Sequence, residues 1–213
     1  ALEVLKERRA RVVALCRQVG TPFNPGSFAE LRDLEQLKWW GRGLTAVDIA
    51  TLAMILRTSG LPRLTQLYLN RNGIDDAGVQ ALCVGLSPGT APALRTLSLG
   101  RTKFGPVGAE ALAAALRSGA MPKLEVLILG TNPIGSQGVA SLAAPLRTMP
   151  ALETLYLHEC AIGDEGVASL FANLGKNEFT KLEKLDLTHN KITDVGMARL
   201  AAAIDAGGLP TLK

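Results

Sequence analysis

Residues 64–86, LTQLYLNRNGIDDAGVQALCVGL, change their apolar period halfway along. Leu64, Leu67, Leu69, Asn72 and Ile74 fall at relative positions one, four, six, nine and eleven, too irregular for a helix. They fit a short strand followed by a tight turn. Val79, Leu82, Cys83 and Leu86 then recur at i, i+3, i+4 and i+7, the spacing that gathers side chains on one face of an α-helix. Asp75 and Asp76 precede Gly78 at the start of that helix, where negative charge complements the helix dipole.

The same spacing recurs along the chain. Counting outward, repeats begin at Leu34, Leu64, Leu94, Leu124, Leu152 and Leu182, thirty residues apart except for one interval of 28 between Leu124 and Leu152. A seventh starts at Leu212. The first helix slot holds Ile49, Val79, Ala109, Val139, Val167 and Met197, and the second holds Leu52, Leu82, Leu112, Leu142, Leu170 and Leu200. A strand and helix of this size cannot bury their apolar sides alone, so the units are expected to stack. The short repeat carries Pro145 inside its helix, and a local distortion is predicted there.

Composition agrees with a folded chain: of 213 residues, 47% are hydrophobic, 20% charged and 4% aromatic. No apolar run reaches the length of a membrane span and no segment has the order of a signal peptide, so a soluble, cytoplasmic protein is expected. Cys16, Cys83 and Cys160 are widely spaced and odd in number. That predicts three free thiols, with no disulfide framework or zinc site. Five basic against two acidic side chains in residues 2–19 carry +3 of the formal +4 charge. The rest is near neutral, so no nucleic-acid partner and no membrane are expected. Because the chain opens without Met and stops inside a repeat, it is read as a piece of a longer protein.

Residues 2–19 are predicted to form a helix with Leu2, Leu5, Val12, Leu15, Cys16 and Val19 on its apolar side, ended by Gly20 and Pro22. Phe23 and Phe28 would anchor the following loop. The division expected is an N-terminal helical cap over residues 1–33 and a solenoid of six repeats and the start of a seventh over 34–213.

The pattern LxxLxLxxNxI, followed by xDxG and a full helix at a period of 28 to 30, resembles the ribonuclease-inhibitor-like class of leucine-rich repeats. The resemblance covers residues 34–213. It implies an α/β fold: a curved solenoid, or horseshoe, with parallel strands on the concave face and α-helices on the convex face. It also implies a non-catalytic scaffold that binds a protein partner. Similar repeats occur in ribonuclease inhibitor, tropomodulins, the Ran GTPase-activating protein and the sensor regions of NOD-like receptors. A GTPase-activating protein of the Ran type and a ligand-sensing receptor region are therefore the alternatives. The acidic C-terminal segment associated with the Ran type is not present in these residues.

Position nine holds Asn72, Thr102, Asn132, Cys160 and Asn190, with Arg42 in the first repeat. A small hydrogen-bonding side chain there is expected to satisfy backbone groups of the turn from repeat to repeat, a structural turn ladder. The positions facing outward on the strand side differ from repeat to repeat. Position five runs Lys38, Tyr68, Ser98, Ile128, Tyr156 and Asp186. Position seven runs Trp40, Asn70, Gly100, Gly130, His158 and Thr188, and position eight Gly41, Arg71, Arg101, Thr131, Glu159 and His189. Variable side chains on a constant frame suit recognition. The protein-binding candidates are Lys38, Trp40, Tyr68, Arg71, Arg101, Tyr156, His158, Glu159 and Asp186.

Charge is sorted along this face, with Lys38, Arg71, Arg95, Arg101 and Lys103 in the first half and Glu125, Glu153, Glu159, Glu183 and Asp186 in the second. Glu125, Glu153 and Glu183 share position two on neighbouring strands, where like charges repel. Solvent, Lys123, Lys181 and Lys184 are the expected screens, and a basic group of a partner docked on the row is the alternative. Cys160 should point inward and His158 outward, which separates a Cys–His pair. His158, Glu159, Asp186 and His189 are expected to be solvated polar residues. No catalytic motif, metal site or cofactor is expected.

Overall fold

The computed structural model describes residues 2–20, 29–175 and 178–213. Helix α1 (Leu2–Val19) and the single turn α2 (Ala29–Arg32) precede six strand–helix units. These are β1 (Gln36–Lys38) with α3 (Ala46–Ser59), β2 (Gln66–Tyr68) with α4 (Asp76–Gly85), and β3 (Thr96–Ser98) with α5 (Pro106–Arg117). There follow β4 (Val126–Ile128) with α6 (Gly135–Arg147), β5 (Thr154–Tyr156) with α7 (Asp164–Phe171), and β6 (Lys184–Asp186) with α8 (Asp194–Asp205). Phe23 and Phe28 lie outside the described residues.

All six strands are parallel and lie in sequence order, and Leu37, Leu67, Leu97, Leu127, Leu155 and Leu185 stand side by side. The expected register therefore holds through the 28-residue interval. Each helix packs on the next behind the sheet. A strand needs about 4.8 Å of width and a helix about 10 Å, so the stack curves with the strands on its inner side.

The core is one continuous cluster. Leu67, Leu97, Leu127 and Leu155 are fully buried, with the helix leucines Leu82, Leu112, Leu142 and Leu170. Val12, Leu15, Cys16 and Val19 of α1 join it, α1 packs on α3, and Gln18 Nε2 donates to the Arg42 carbonyl at 3.4 Å. The sixth repeat is different. Leu185, Leu187 and Leu200 are only half-buried, and Met197 is 52% exposed although Val79, Ala109, Val139 and Val167 are buried in the same slot.

The helix at Pro145 corrects the distortion expected there, since α6 runs without interruption to Arg147. Proline removes one N–H and frees the carbonyl four residues earlier. Here that carbonyl belongs to Ser141, and it accepts from Arg117 Nη1 at 3.5 Å. Pro145 also lies so near the end of the helix that little remains to disrupt.

Two sets of side chains join repeat to repeat. Asn72 accepts from Arg42 N and Leu44 N and donates to the Trp39 and Leu69 carbonyls, tying the first turn to the second. Asn132 ties the Thr102 turn to its own in the same way, and Asn190 ties the Cys160 turn. Asparagine thus clamps alternate junctions. The Cys160 thiol contributes a weaker bond to the Leu129 carbonyl at 3.5 Å.

The junctions between them, and the last junction a second time, are held at the helix starts, in a manner the repeat pattern did not reveal. Asp75 caps its own helix, accepting from Gly78 N at 3.0 Å. Its neighbour Asp76, expected to serve the same helix, instead accepts from Gly105 N at 2.7 Å and Gly108 N at 2.6 Å in the next repeat. Ser136 accepts from Gly163 N, and Asp164 from Thr193 N and Gly196 N. Gly108 is glycine for this reason: a Cβ there would lie 2.8 Å from the Asp76 carboxylate.

The Thr193 hydroxyl and backbone N–H hold the Asp164 carboxyl below the usual carboxylate range. A depressed folded pKa contributes stability above the unfolded value, about 3.9, and that contribution is lost as pH falls through the folded one. Acidification from pH 5 to pH 3 should therefore lower the melting midpoint more in the wild type than in Asp164→Asn. Parallel decreases would show that this clamp does not couple folding to pH.

Candidate functional site

The strands are shorter than the outward columns. Only positions three to five are strand, and positions seven and eight lie in the following turn. The backbone ladder continues across it, with Arg71 N donating to Gly100 O, Arg101 N to Gly130 O and Thr131 N to His158 O. Position eight is left-handed in every repeat: φ is 63° at Gly41, 59° at Arg71, 54° at Arg101, 59° at Thr131, 52° at Glu159 and 55° at His189. Non-glycine residues rarely adopt this conformation, and the repeated ladder enforces it.

The binding candidates separate into three groups on this surface. Lys38 and Trp40 are exposed at the N-terminal end, Trp40 at 54%. Arg71 and Arg101 stand exposed in the middle with Tyr68 half-buried beside them, and Glu159 is exposed farther along. Tyr156, His158 and Asp186 are half-buried and touch one another. The Tyr156 and His158 rings meet edge to face at 6.3 Å, and His158 Nδ1 lies 3.3 Å from Asp186 Oδ2 without the alignment of a hydrogen bond. Lys184 Nζ sits over the Tyr156 ring at 5.1 Å.

Burial pushes the Asp186 carboxyl up, but the Thr188 backbone and hydroxyl, His158 and Lys184 outweigh it and hold the group below its ordinary range. Tyr156, His158, Asp186 and Lys184 thus form an internally paired polar network in the second half of the face. In the first half, Arg71 and Arg101 make no ion pair among the described residues.

The charge column at position two is not the self-repelling row expected. Glu125 pairs with Arg95, and Glu183 with Lys213 at 2.6 Å, so the row is closed by a cation at each end. Lys184 is engaged with Tyr156, and Lys123 and Lys181 make no ion pair among the described residues. Glu153 is exposed and unpaired among them. Exposed pairs of this kind contribute little stability, so they smooth the surface more than they hold it.

His158 owes its place to Gly130. A Cβ on Gly130 would lie 2.3–2.6 Å from the imidazole atoms, so the ring lies on bare backbone. With Gly100 at the same position one repeat earlier and Ser98 at position five, three small residues leave a depression of ≈ 410 Å³ in the concave face. Tyr68, Asn70, Ile128, Thr131 and His158 wall it, with Arg71, Arg101 and Glu159 at the rim. Ser98, Gly100 and Gly130 were not among the candidates from sequence. Their signal was there, as small residues in columns otherwise filled by large ones.

Cysteine chemistry has no place in this site. All three thiols are free, and burial pushes Cys83 up to about 12 and Cys160 up to about 11. The Cys160 thiol bonds to the Leu129 and His158 carbonyls, away from the imidazole. Among the described residues no cluster of His, Cys, Asp and Glu could hold a metal, and no helix is long and apolar enough to cross a membrane.

No curated protein sequence matches the chain. Among solved structures, internalin C2 of Listeria monocytogenes str. 4b F2365 is similar at 20% identity, over 93% of this chain and 88% of that one, with a TM-score of 0.43. The sequence model described as Leucine Rich repeat matches residues 61–83, 91–113, 120–143, 149–171 and 180–201. These segments make up more than half of the chain and coincide with the second to sixth structural units, so the protein belongs to the leucine-rich repeat family.

Proposed function

We propose that the chain is a non-catalytic scaffold of the ribonuclease-inhibitor-like class that binds a protein partner on its concave face. Leucine-rich repeats generally serve protein–protein interaction. The observation that carries the assignment to this face is the contrast between its columns. Inward positions are leucine throughout the central strands, whereas outward positions present Trp40, Tyr68, Tyr156, and Arg71 and Arg101 that are unpaired among the described residues. Aromatic side chains contribute large contact area at small entropic cost, and arginine anchors interfaces. Residues 1–33 act as the cap of the solenoid over 34–213, supported by the buried side of α1. Three unpaired thiols suit a reducing, cytoplasmic setting.

Tyr68→Ala or Tyr156→Ala is expected to weaken a natural partner by about 2 kcal/mol, read by calorimetry with the melting midpoint as a folding control. If both variants bind as the wild type does while deletion of residues 1–20 releases the partner, the site is on the N-terminal helix. The Ran-type and receptor-sensor alternatives share the same frame. A GTPase assay with added Ran, in which this chain accelerates hydrolysis, would move the assignment to the first of them.

A further inference from the structure

We infer that the depression lined by Ser98, Gly100 and the His158 ring is the seat of an acidic side chain, an aspartate or glutamate on an extended segment of the partner protein. The inference rests on the concave-face reading and narrows it to one contact.

Three independent observations converge there. The first is shape. Position five is large in the flanking repeats, with Tyr68 before and Ile128 after, and Ser98 between them opens a pit over Gly100, bounded by the His158 ring that lies on Gly130. The second is an unused polar group at the bottom. Ser98 is 2% exposed and lines the depression, yet its hydroxyl has no hydrogen-bond partner among the described residues. The hydroxyl keeps contact with solvent, unlike Nδ1 of His158 in the wall of the same depression, which is buried without a hydrogen-bond partner among those residues, so it is free to donate to an acceptor that enters.

The third is charge. Arg71 and Arg101 occupy the same position on adjacent repeats, so their backbones are about 4.8 Å apart. Neither guanidinium has a partner among the described residues. Two like charges held side by side favour an anion between them. A carboxylate suits the site because arginine meets its two oxygens in parallel, leaving a further lone pair on each oxygen for a donor such as the Ser98 hydroxyl. The carboxylate of Glu159 at the opposite rim sets the orientation. It repels an acid at that end, so the acid seats toward Arg71 and Arg101 and a donor of the same segment lies toward Glu159.

The test uses a random linear peptide library displayed on phage and panned against the whole chain, with selected sequences remade as synthetic peptides. A fixed Asp or Glu is expected in the enriched sequences. Changing it to Asn or Gln should weaken binding at least tenfold, about 1.4 kcal/mol, and R71Q/R101Q should do the same. The two changes together should lose no more than either alone, because they remove one contact. S98A should cost a smaller factor and leave folding unchanged.

Peptides without an acidic position, or whose binding survives R71Q/R101Q but falls with Y156A, would overturn the acid seat and leave the concave-face reading standing. Binding insensitive to W40A, Y68A, Y156A and R71Q/R101Q alike would overturn both. A phosphoserine peptide that binds tenfold tighter than its glutamate counterpart would overturn the carboxylate in favour of a phosphate. Failure to enrich any peptide would overturn the seat as a site for linear segments.

Discussion

Leu127→Ala should destabilise the protein by about 2–5 kcal/mol, the range for removing a fully buried leucine side chain from a core that cannot close around the loss. Leu127 is fully buried in β4 and stands between Leu97 and Leu155 in the strand register. Its neighbours are set by backbone pairing on both sides, so they cannot move in to fill the space. The same change at Leu185, half-buried at the open end of the sheet, should cost much less. Chemical denaturation monitored by circular dichroism measures both. Equal losses would show that burial in the stack does not rank these leucines, and an unchanged midpoint for Leu127→Ala would contradict the register itself.

Asn132→Ala should cost about 3 kcal/mol, because it orphans several buried backbone groups at once and each such group carries about 1–3 kcal/mol. Asn132 Oδ1 accepts from Thr102 N at 3.0 Å, and its Nδ2 donates to the Leu99 and Leu129 carbonyls at 2.8 and 2.7 Å. Water has poor access, since Asn132 is 2% exposed. Asn190→Ala removes the corresponding bonds, and one more from Ile162 N, but at a half-buried site where solvent can replace them, and should be milder. Thermal melts of the two variants test the ladder, and equal losses would mean that turn burial contributes nothing. The exchange of the Thr102 amide should accelerate in Asn132→Ala, a local signal that a general loss of packing would not single out.

These two changes also mark how far the sequence carries. Leu127 was legible as core because the spacing that places it is local. Alternation between inward and outward positions over a few residues, repeated at a constant interval, determines the strand, the helix stripe and their register without any knowledge of neighbours. The asparagines at position nine were legible as turn residues on the same ground. The outward residues were identified as a surface by their variation, although the turn that carries positions seven and eight, with its left-handed backbone, was not foreseen.

What the local pattern could not contain is which side chains meet across repeats. Asp75 and Asp76 are identical neighbours in sequence, yet one caps its own helix and the other the next repeat's, because only the stack brings Gly105 and Gly108 within reach of Asp76. The acidic row at position two reads as self-repelling in one dimension, and only the stack closes it with Arg95 and Lys213. The depression at Ser98, Gly100 and Gly130 exists only because three small residues on two adjacent repeats stand between larger neighbours. Spacing along the chain determined the unit and its repetition, since both follow from hydrogen bonds and burial within about thirty residues. Tertiary structure decided the clamps, the paired charges and the shape of the face, because these depend on distances of a few ångströms between residues about thirty apart in sequence.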